Sequence, residues 1–202
     1  MKPSTHRLLI GIFASLLAMT VGGLPVNAQS FAYVCNSGDN TVSVINTTTN
    51  TVVATVPVGI YPAGVAITPD GTMAYVTNNG ETTVSVISTA SNTVVARVTV
   101  PGQPQGVAFT PNGAFAYVGN SSSNTVSVIN TATNTVVATV PAGTDPHGVV
   151  ITPSGAFAYV LNDQAVTVLS TTANTVTATI PVPGQFGIDG PGITITPNGA
   201  FV

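Results

Sequence analysis

The sequence predicts an all-β chain folded as a β-propeller of four-stranded antiparallel blades, and three observations carry that prediction. One unit recurs every 42 residues: Tyr33-Val34-Cys35-Asn36 returns as Tyr75–Asn78, Tyr117–Asn120 and Tyr159–Asn162. Each unit contains four short segments, rich in Val, Ile and Thr, in a fixed order. Gly, Pro and Asn fill the gaps between them, as they do between strands. A repeat of roughly 40–45 residues that holds four strands is the pattern of a propeller blade.

The first segment of the unit is Gly64–Thr68, matched by Gly106–Thr110, Gly148–Thr152 and Gly192–Thr196. A Thr-Pro-x-Gly turn follows at 68–71, 110–113, 152–155 and 196–199. Pro presets φ at the second turn position and Gly takes the fourth, which predicts a type I turn. The Ala-Tyr-Val segment is the second strand. The third is Thr41–Ile45, repeated at 83–87, 125–129 and, as Ala165–Leu169, once more. The fourth is Thr51–Val56, repeated from Thr93, Thr135 and Thr175, and a neutral turn such as Asn46–Asn50 leads into it. Within the strands a larger residue alternates with a smaller one (Val42 and Val44 against Ser43), so both faces are suited to packing, as a blade between two neighbours requires. A β-solenoid is the competing repeat fold, but its coils are usually shorter and lack this four-strand order.

Residues 1–28 read as a cleaved secretory leader. Lys2 and Arg7 precede an apolar run over 8–21, and Val26-Asn27-Ala28 supplies the small residues of a cleavage site. The run is too short for a spanning helix. The mature chain, 29–202, is expected in the periplasm, at the cell surface or outside the cell. It keeps Arg97 as its only Lys or Arg, against Asp39, Asp70, Glu81, Asp145, Asp163 and Asp189, a net charge of −5. Nucleic acid is therefore excluded as a partner, because phosphate contacts need cations. An anionic membrane surface is equally unsuited, and no membrane insertion is expected after cleavage. Cys35 is the single cysteine, so no intrachain disulfide is available; it reads as a small buried apolar residue.

The Tyr-Val-x-Asn, Asn-Thr-Val-Ser-Val-Ile, Asn-Thr-Val-Val-Ala and Thr-Pro-x-Gly motifs together resemble the YVTN-repeat β-propeller family, whose naming tetrapeptide stands intact at 75–78. The resemblance covers 31–202. It implies that the Gly-Val-Ala-Ile strand lies innermost and the Thr-Val-Val-Ala strand outermost. It also implies an exported or surface-layer protein, typically of seven blades. This chain departs from that number, with units at 31–61, 62–103, 104–145 and 146–190 and a partial one at 191–202. Two endings fit. Residues 192–196 would complete the three-stranded N-terminal unit and close a four-bladed ring, or the chain is an arc of a longer propeller; the second is preferred, because Gly199–Val202 begins a further second strand. An open arc would expose blade faces and strand edges and invite self-association.

Strand alternation places the second-to-third loops and the inter-blade links on one face. Asp39, Glu81, Asp145, Asp163 and Asp189 belong to it; Asp70 falls on the other. Loops on a rigid scaffold carry binding, so the candidate ligand-binding residues are Tyr61, Gln103, Gln105, Asp145, His147, Phe186 and Asp189. Ala63, Gln105, His147 and Pro191 are expected to ring a channel mouth. The fourth unit breaks pattern: its link 181–191 is four residues longer than its counterpart and its 162–165 loop two shorter. No catalytic residue, metal ligand or cofactor is assigned. One mature histidine and one cysteine cannot make a His/Cys metal cluster, no dense Asp-x-Asp-x-Asp loop exists for Ca²⁺, and Gly187–Gly192 lacks the lysine of a phosphate cradle. Asp145 and His147 read as solvated loop residues. The expected function is an exported, non-enzymatic binding or cell-surface scaffold, with a protein or a surface glycan as partner. The alternatives are a lactonase-like hydrolase at the channel mouth, using His147, Asp145 and Gln105, and a propeller fragment that works only on association.

Overall fold

A computed structural model describes residues 30–182 and 192–197. It contains four antiparallel sheets. The first is three-stranded: β1 (Phe31–Asn36), β2 (Thr41–Asn46) and β3 (Thr51–Pro57). The second holds β4 (Pro62–Ile67), β5 (Met73–Asn78), β6 (Thr83–Ser88) and β7 (Thr93–Thr99). The third holds β8 (Pro104–Phe109), β9 (Phe115–Asn120), β10 (Thr125–Asn130) and β11 (Thr135–Pro141). The fourth holds β12 (Gly148–Ile151), β13 (Phe157–Leu161), β14 (Ala165–Ser170) and β15 (Thr175–Pro181). These sheets, blades A to D, are the four predicted units, each strand pairing with its neighbour in sequence. The Thr-Pro-x-Gly turns close as predicted, with Gly71, Gly113 and Gly155 N–H each donating to the Thr carbonyl three residues earlier at 2.8 Å.

The cores lie between blades. Val42, Val44 and Val56 of blade A meet Ala74, Val76 and Ile87 of blade B. Tyr75, Val84, Val86 and Val98 of B meet Ala116, Val118 and Ile129 of C, and Tyr117, Val126, Val128 and Val140 of C meet Ala158, Val160 and Leu169 of D. One face of blades B and C thus carries the motif tyrosine and three valines, and the other an Ala-Val-Ile set, with Leu169 in place of isoleucine in blade D. Hydrogen bonds stitch the same junctions. The Tyr33 hydroxyl donates to Asn92 Oδ1 at 3.1 Å, Tyr75 donates to Asn134 Oδ1, and Tyr117 donates to Asn174 Oδ1 at 2.8 Å. The acceptors end the turns before the outer strands, and Asn50, Asn92, Asn134 and Asn174 all hold φ between 52° and 54°. Asn tolerates this left-handed conformation better than other non-glycine residues.

The innermost strands pack backbone to backbone. A Cβ on Gly64 would stand 2.5 Å from the Gln105 carbonyl oxygen, and one on Gly106 would stand 2.3 Å from that of His147. Only glycine fits there. The outermost strands carry a bulge that simple alternation did not predict. Register shifts between Val44/Ile45, Val86/Ile87 and Val128/Ile129 leave Val53, Val95 and Val137 unmatched and facing solvent. Bulges twist an edge strand away from regular pairing and so protect it from aggregation. Cys35 is half-buried against the core between A and B, and burial pushes its thiol up to about 11. It is therefore a weak nucleophile at neutral pH.

Among the described residues the ring does not close. Residues 192–196, the expected closing strand of blade A, belong to none of the four sheets, and β1 pairs only with β2. Ile193 instead lies at blade D, where its Cγ2 atom is 2.9 Å from the Cβ position of Gly148.

Candidate functional site

The links into the blades are built from a short pattern: a bent residue, then Pro, then the inner strand. Tyr61 and Asp145 occupy equivalent positions, each followed by proline, and each holds φ at 52°. Each is clamped by an asparagine of the preceding blade: Tyr61 N–H donates to Asn40 Oδ1 at 2.8 Å and Asp145 N–H to Asn124 Oδ1 at 3.0 Å. Asn40 and Asn124 are themselves left-handed, with φ of 58° and 57°. Such residues cost about 1–3 kcal/mol each and persist where surrounding contacts over-determine them, commonly at ligand clamps. The middle link differs. Thr82 stands where blades A and C have this asparagine, and Gln103 N–H donates instead to Ser122 Oγ at 3.0 Å.

Asparagines of the Tyr-Val-x-Asn motif fasten the loops behind these links. Asn78 Nδ2 donates to Thr83 and Ser85 hydroxyls at 2.8 and 3.0 Å, and its Oδ1 accepts from Gly59 N–H at 3.0 Å. In blade C, Pro101 occupies the place of Gly59 and has no N–H to give. Asn120 Oδ1 is accordingly buried without a partner.

These loops enclose a cleft of about 680 Å³ lined by Tyr61, Asn79, Gln103, Gln105, Ser121, Ser122, Asn124 and Asp145. It offers four carboxamides, two serine hydroxyls, one carboxylate and a tyrosine ring, and none of these side chains is cationic. Of the residues nominated from the sequence, Tyr61, Gln103, Gln105 and Asp145 come together here. Phe186 and Asp189 lie outside the described residues. His147 corrects the sequence reading on one point. It is 8 % exposed, so it is not a solvated loop residue, and it does not line the cleft. Inner-strand packing explains this: its carbonyl accepts from Gly106 N–H at 2.7 Å and its N–H donates to the Leu161 carbonyl at 2.9 Å, which draws the ring inside.

His147 Nδ1 is 3.7 Å from Asp145 Oδ2, and Asp163 joins them, one ligand atom of each residue lying within 4.8 Å of the others. His147 Nε2 is buried without a hydrogen-bond partner. Two carboxylates and an imidazole are donors suited to a divalent ion. The sequence reading nominated no metal ligand because one mature histidine and one cysteine make no His/Cys cluster and no dense Asp-x-Asp-x-Asp loop exists; Asp163 arrives from a separate loop, where its N–H donates to the Thr144 carbonyl at 3.2 Å. Asp163 also lines a second cleft of about 490 Å³, with Thr144, Asn162 and Gln164. Sequence reasoning missed Asn79, Ser121, Ser122 and Asn124 as well. The signal available was Ser121-Ser122-Ser123, which replaces Asn79-Gly80-Glu81 of the preceding unit.

Fold and loop face together define a β-propeller protein with a polar cleft on one face. The chain belongs to the lactonase, seven-bladed β-propeller family, whose model matches residues 24–139, more than half of its length. Among solved structures it is similar to hydrazine synthase of Kuenenia stuttgartiensis, with 25% identity and a TM-score of 0.74 over 76% of this chain and 46% of that one. It is similar to the same degree, 25% identity and a TM-score of 0.74, to a functionally unknown protein from Desulfotomaculum acetoxidans DSM 771, over 85% of this chain and 57% of that one. A PE-PGRS family protein of Mycobacterium tuberculosis is 49% identical over 47 residues, 23% of this chain and 10% of that protein. The chain thus spans about half the length of these solved relatives and a tenth of the curated one.

Proposed function

We propose that this protein is an exported, non-enzymatic propeller of the YVTN-repeat type whose loop face binds a neutral, polyhydroxylated ligand, a glycan of the cell surface. The cleft lined by Tyr61, Asn79, Gln103, Gln105, Ser121, Ser122, Asn124 and Asp145 is the observation that carries the reading. Carboxamides and hydroxyls both donate and accept, as sugar hydroxyls do. An exposed tyrosine ring offers an apolar surface with a polar tip. The lack of a cation disfavours phosphate and nucleic acid. The leader-like residues 1–28 support export.

Calorimetric titration with neutral gluco-oligosaccharides is expected to give saturable binding. Gln105→Ala is expected to weaken it about tenfold, the worth of one to two hydrogen bonds. Absence of binding, or preference for an anionic sugar, would overturn the reading.

Family membership and the Asp145–His147 pair favour a second reading, hydrolysis of a lactone. Asp145, which lines the cleft, would act as general base toward water, with buried His147 behind it, Nδ1 3.7 Å from the carboxylate, as its positioning residue. Lactone turnover that survives Gln105→Ala but disappears in His147→Ala would make this the primary function.

A further inference from the structure

We propose that Asp145, His147 and Asp163 form a binding site for a divalent transition-metal ion, Zn²⁺ by its chemistry, at the junction of blades C and D. Ion binding there does not depend on which ligand the neighbouring cleft takes.

The repeat supplies its own comparison. Asp145 and His147 stand where the link into blade B has Tyr61 and Ala63 and the link into blade C has Gln103 and Gln105. A hydrogen bond from the second-to-third loop to the link sets the third position. Gly80 N–H donates to the Ile60 carbonyl at 2.9 Å, and Asp163 N–H donates to that of Thr144, the counterpart of Ile60, at 3.2 Å. The shorter 162–165 loop brings Asp163 to this place. The three positions therefore hold Tyr61, Ala63 and Gly80 at one junction, Gln103, Gln105 and Ser122 at the next, and Asp145, His147 and Asp163 at the third. Only the last set offers two carboxylates and an imidazole.

His147 is the fixed member of the set, being 8% exposed. Its Nδ1 is 3.7 Å from Asp145 Oδ2, longer than a hydrogen bond, and its Nε2 is buried without a partner among the described residues. A buried imidazole with neither nitrogen hydrogen-bonded is costly. One of these nitrogens lies within 4.8 Å of a carboxylate oxygen of each aspartate. Ligands held at about 2.0–2.2 Å from a tetrahedral ion stand about 3.4 Å apart, so closing the site takes a movement on the order of 1 Å. Both aspartates are partly exposed and can rotate. Asp145 lines one cleft and Asp163 the other, which gives the ion an entry path.

Charge selects a cation. At the junction of A and B, Glu81 has a counterion: Arg97 Nη1 is 3.3 Å from its Oε1, and Arg97 Nη2 donates to the Val58 carbonyl at 3.3 Å. Thr179 takes the place of Arg97 in blade D, and Arg97 is the only Lys or Arg among the described residues. Asp145 and Asp163 therefore meet neither. Asn162, next to Asp163 and lining the same cleft, also has a buried Oδ1 without a partner among the described residues. Its counterpart Asn78 accepts from Gly59 N–H. Unlike Asn120, Asn162 does not face a proline there, because Gly143 stands at the place of Gly59. Two buried polar atoms at one junction are thus short of a partner. Three side-chain ligands that include an imidazole suit Zn²⁺, which keeps a fourth position open, better than Ca²⁺, which takes about six to eight oxygens.

Calorimetric titration of the purified, untagged protein with Zn²⁺ is expected to show one ion per chain. Asp163→Asn, an isosteric change at a partly exposed residue, is expected to weaken binding about 100-fold, the upper end of what losing a supporting carboxylate costs. Asp39→Asn, at an exposed loop carboxylate, is expected to leave the affinity unchanged. Zn²⁺ is expected to raise the urea midpoint of the parent chain and not that of Asp163→Asn. X-ray absorption at the zinc edge is expected to show a single imidazole among oxygen donors. Lack of saturable binding, equal affinity in the parent and Asp163→Asn, or a shell of oxygen alone would each overturn the proposal.

Discussion

Gly106→Ala is expected to destabilise the chain by about 3 kcal/mol, the upper part of the range for overpacking a tight site. The added methyl would stand 2.3 Å from the His147 carbonyl oxygen and 3.3 Å from Gly148 Cα, both rigid backbone atoms. Relief requires blades C and D to separate at their inner edge, which would also lengthen the 2.7 Å hydrogen bond from Gly106 N–H to that oxygen. The loss is compounded because the same movement loosens Tyr117 and Val149 in the junction behind it. Gly38→Ala serves as the control: nothing lies within 4 Å of its Cβ position, and its effect is expected within about 0.5 kcal/mol. Urea unfolding of both variants reads the difference, and equal midpoints would refute the close-approach argument.

Tyr117→Ala is expected to cost about 4 kcal/mol, and Tyr117→Phe about 1 kcal/mol. The ring is fully buried among Val126, Val128, Ala158 and Leu169, and truncation leaves a cavity between two sheets that cannot collapse independently. The hydroxyl adds only its bonds to Asn174 Oδ1 at 2.8 Å and the Thr171 carbonyl at 3.3 Å. Burial pushes the Tyr117 phenol up to about 12, and Tyr75 likewise. In the unfolded chain a tyrosine ionises near 10. The native state therefore holds the proton more tightly. The stabilisation is fully present below about pH 10 and is lost as pH rises through about 12. Denaturant midpoints measured across this interval are expected to fall in the parent chain and to fall less steeply in Tyr117→Phe. Parallel curves would contradict the role given to the buried phenol.

The strands, their order and the turns were legible because each is written in local chemistry. Valine and isoleucine alternate with small residues, and a proline and a glycine sit at set places in each Thr-Pro-x-Gly turn. Repetition at a spacing of 42 residues, kept throughout by the Tyr-Val-x-Asn segment, then checked each segment against its counterparts. Candidate residues on the link loops were legible for the same reason: connectivity alone puts the links and the second-to-third loops on one face. Four of the seven nominated residues, Tyr61, Gln103, Gln105 and Asp145, share the cleft.

What stayed hidden involves contacts between units. His147 is two residues from Asp145 in the chain and looked solvated, yet inner-strand packing buries it. Asp163 meets it from another loop, at a distance that no spacing encodes. The bulges at Val53, Val95 and Val137 leave the pattern of residue types unchanged, so alternation could not show them.

The sequence by itself determined the blade: its four strands, their pairing order and their turns, because these depend on φ preferences and side-chain size within a few residues. Only the tertiary structure decided how blades meet. The tyrosine–asparagine stitch, the glycine seats at the axis and the polar cleft arise from backbones brought together by stacking, between residues tens of positions apart.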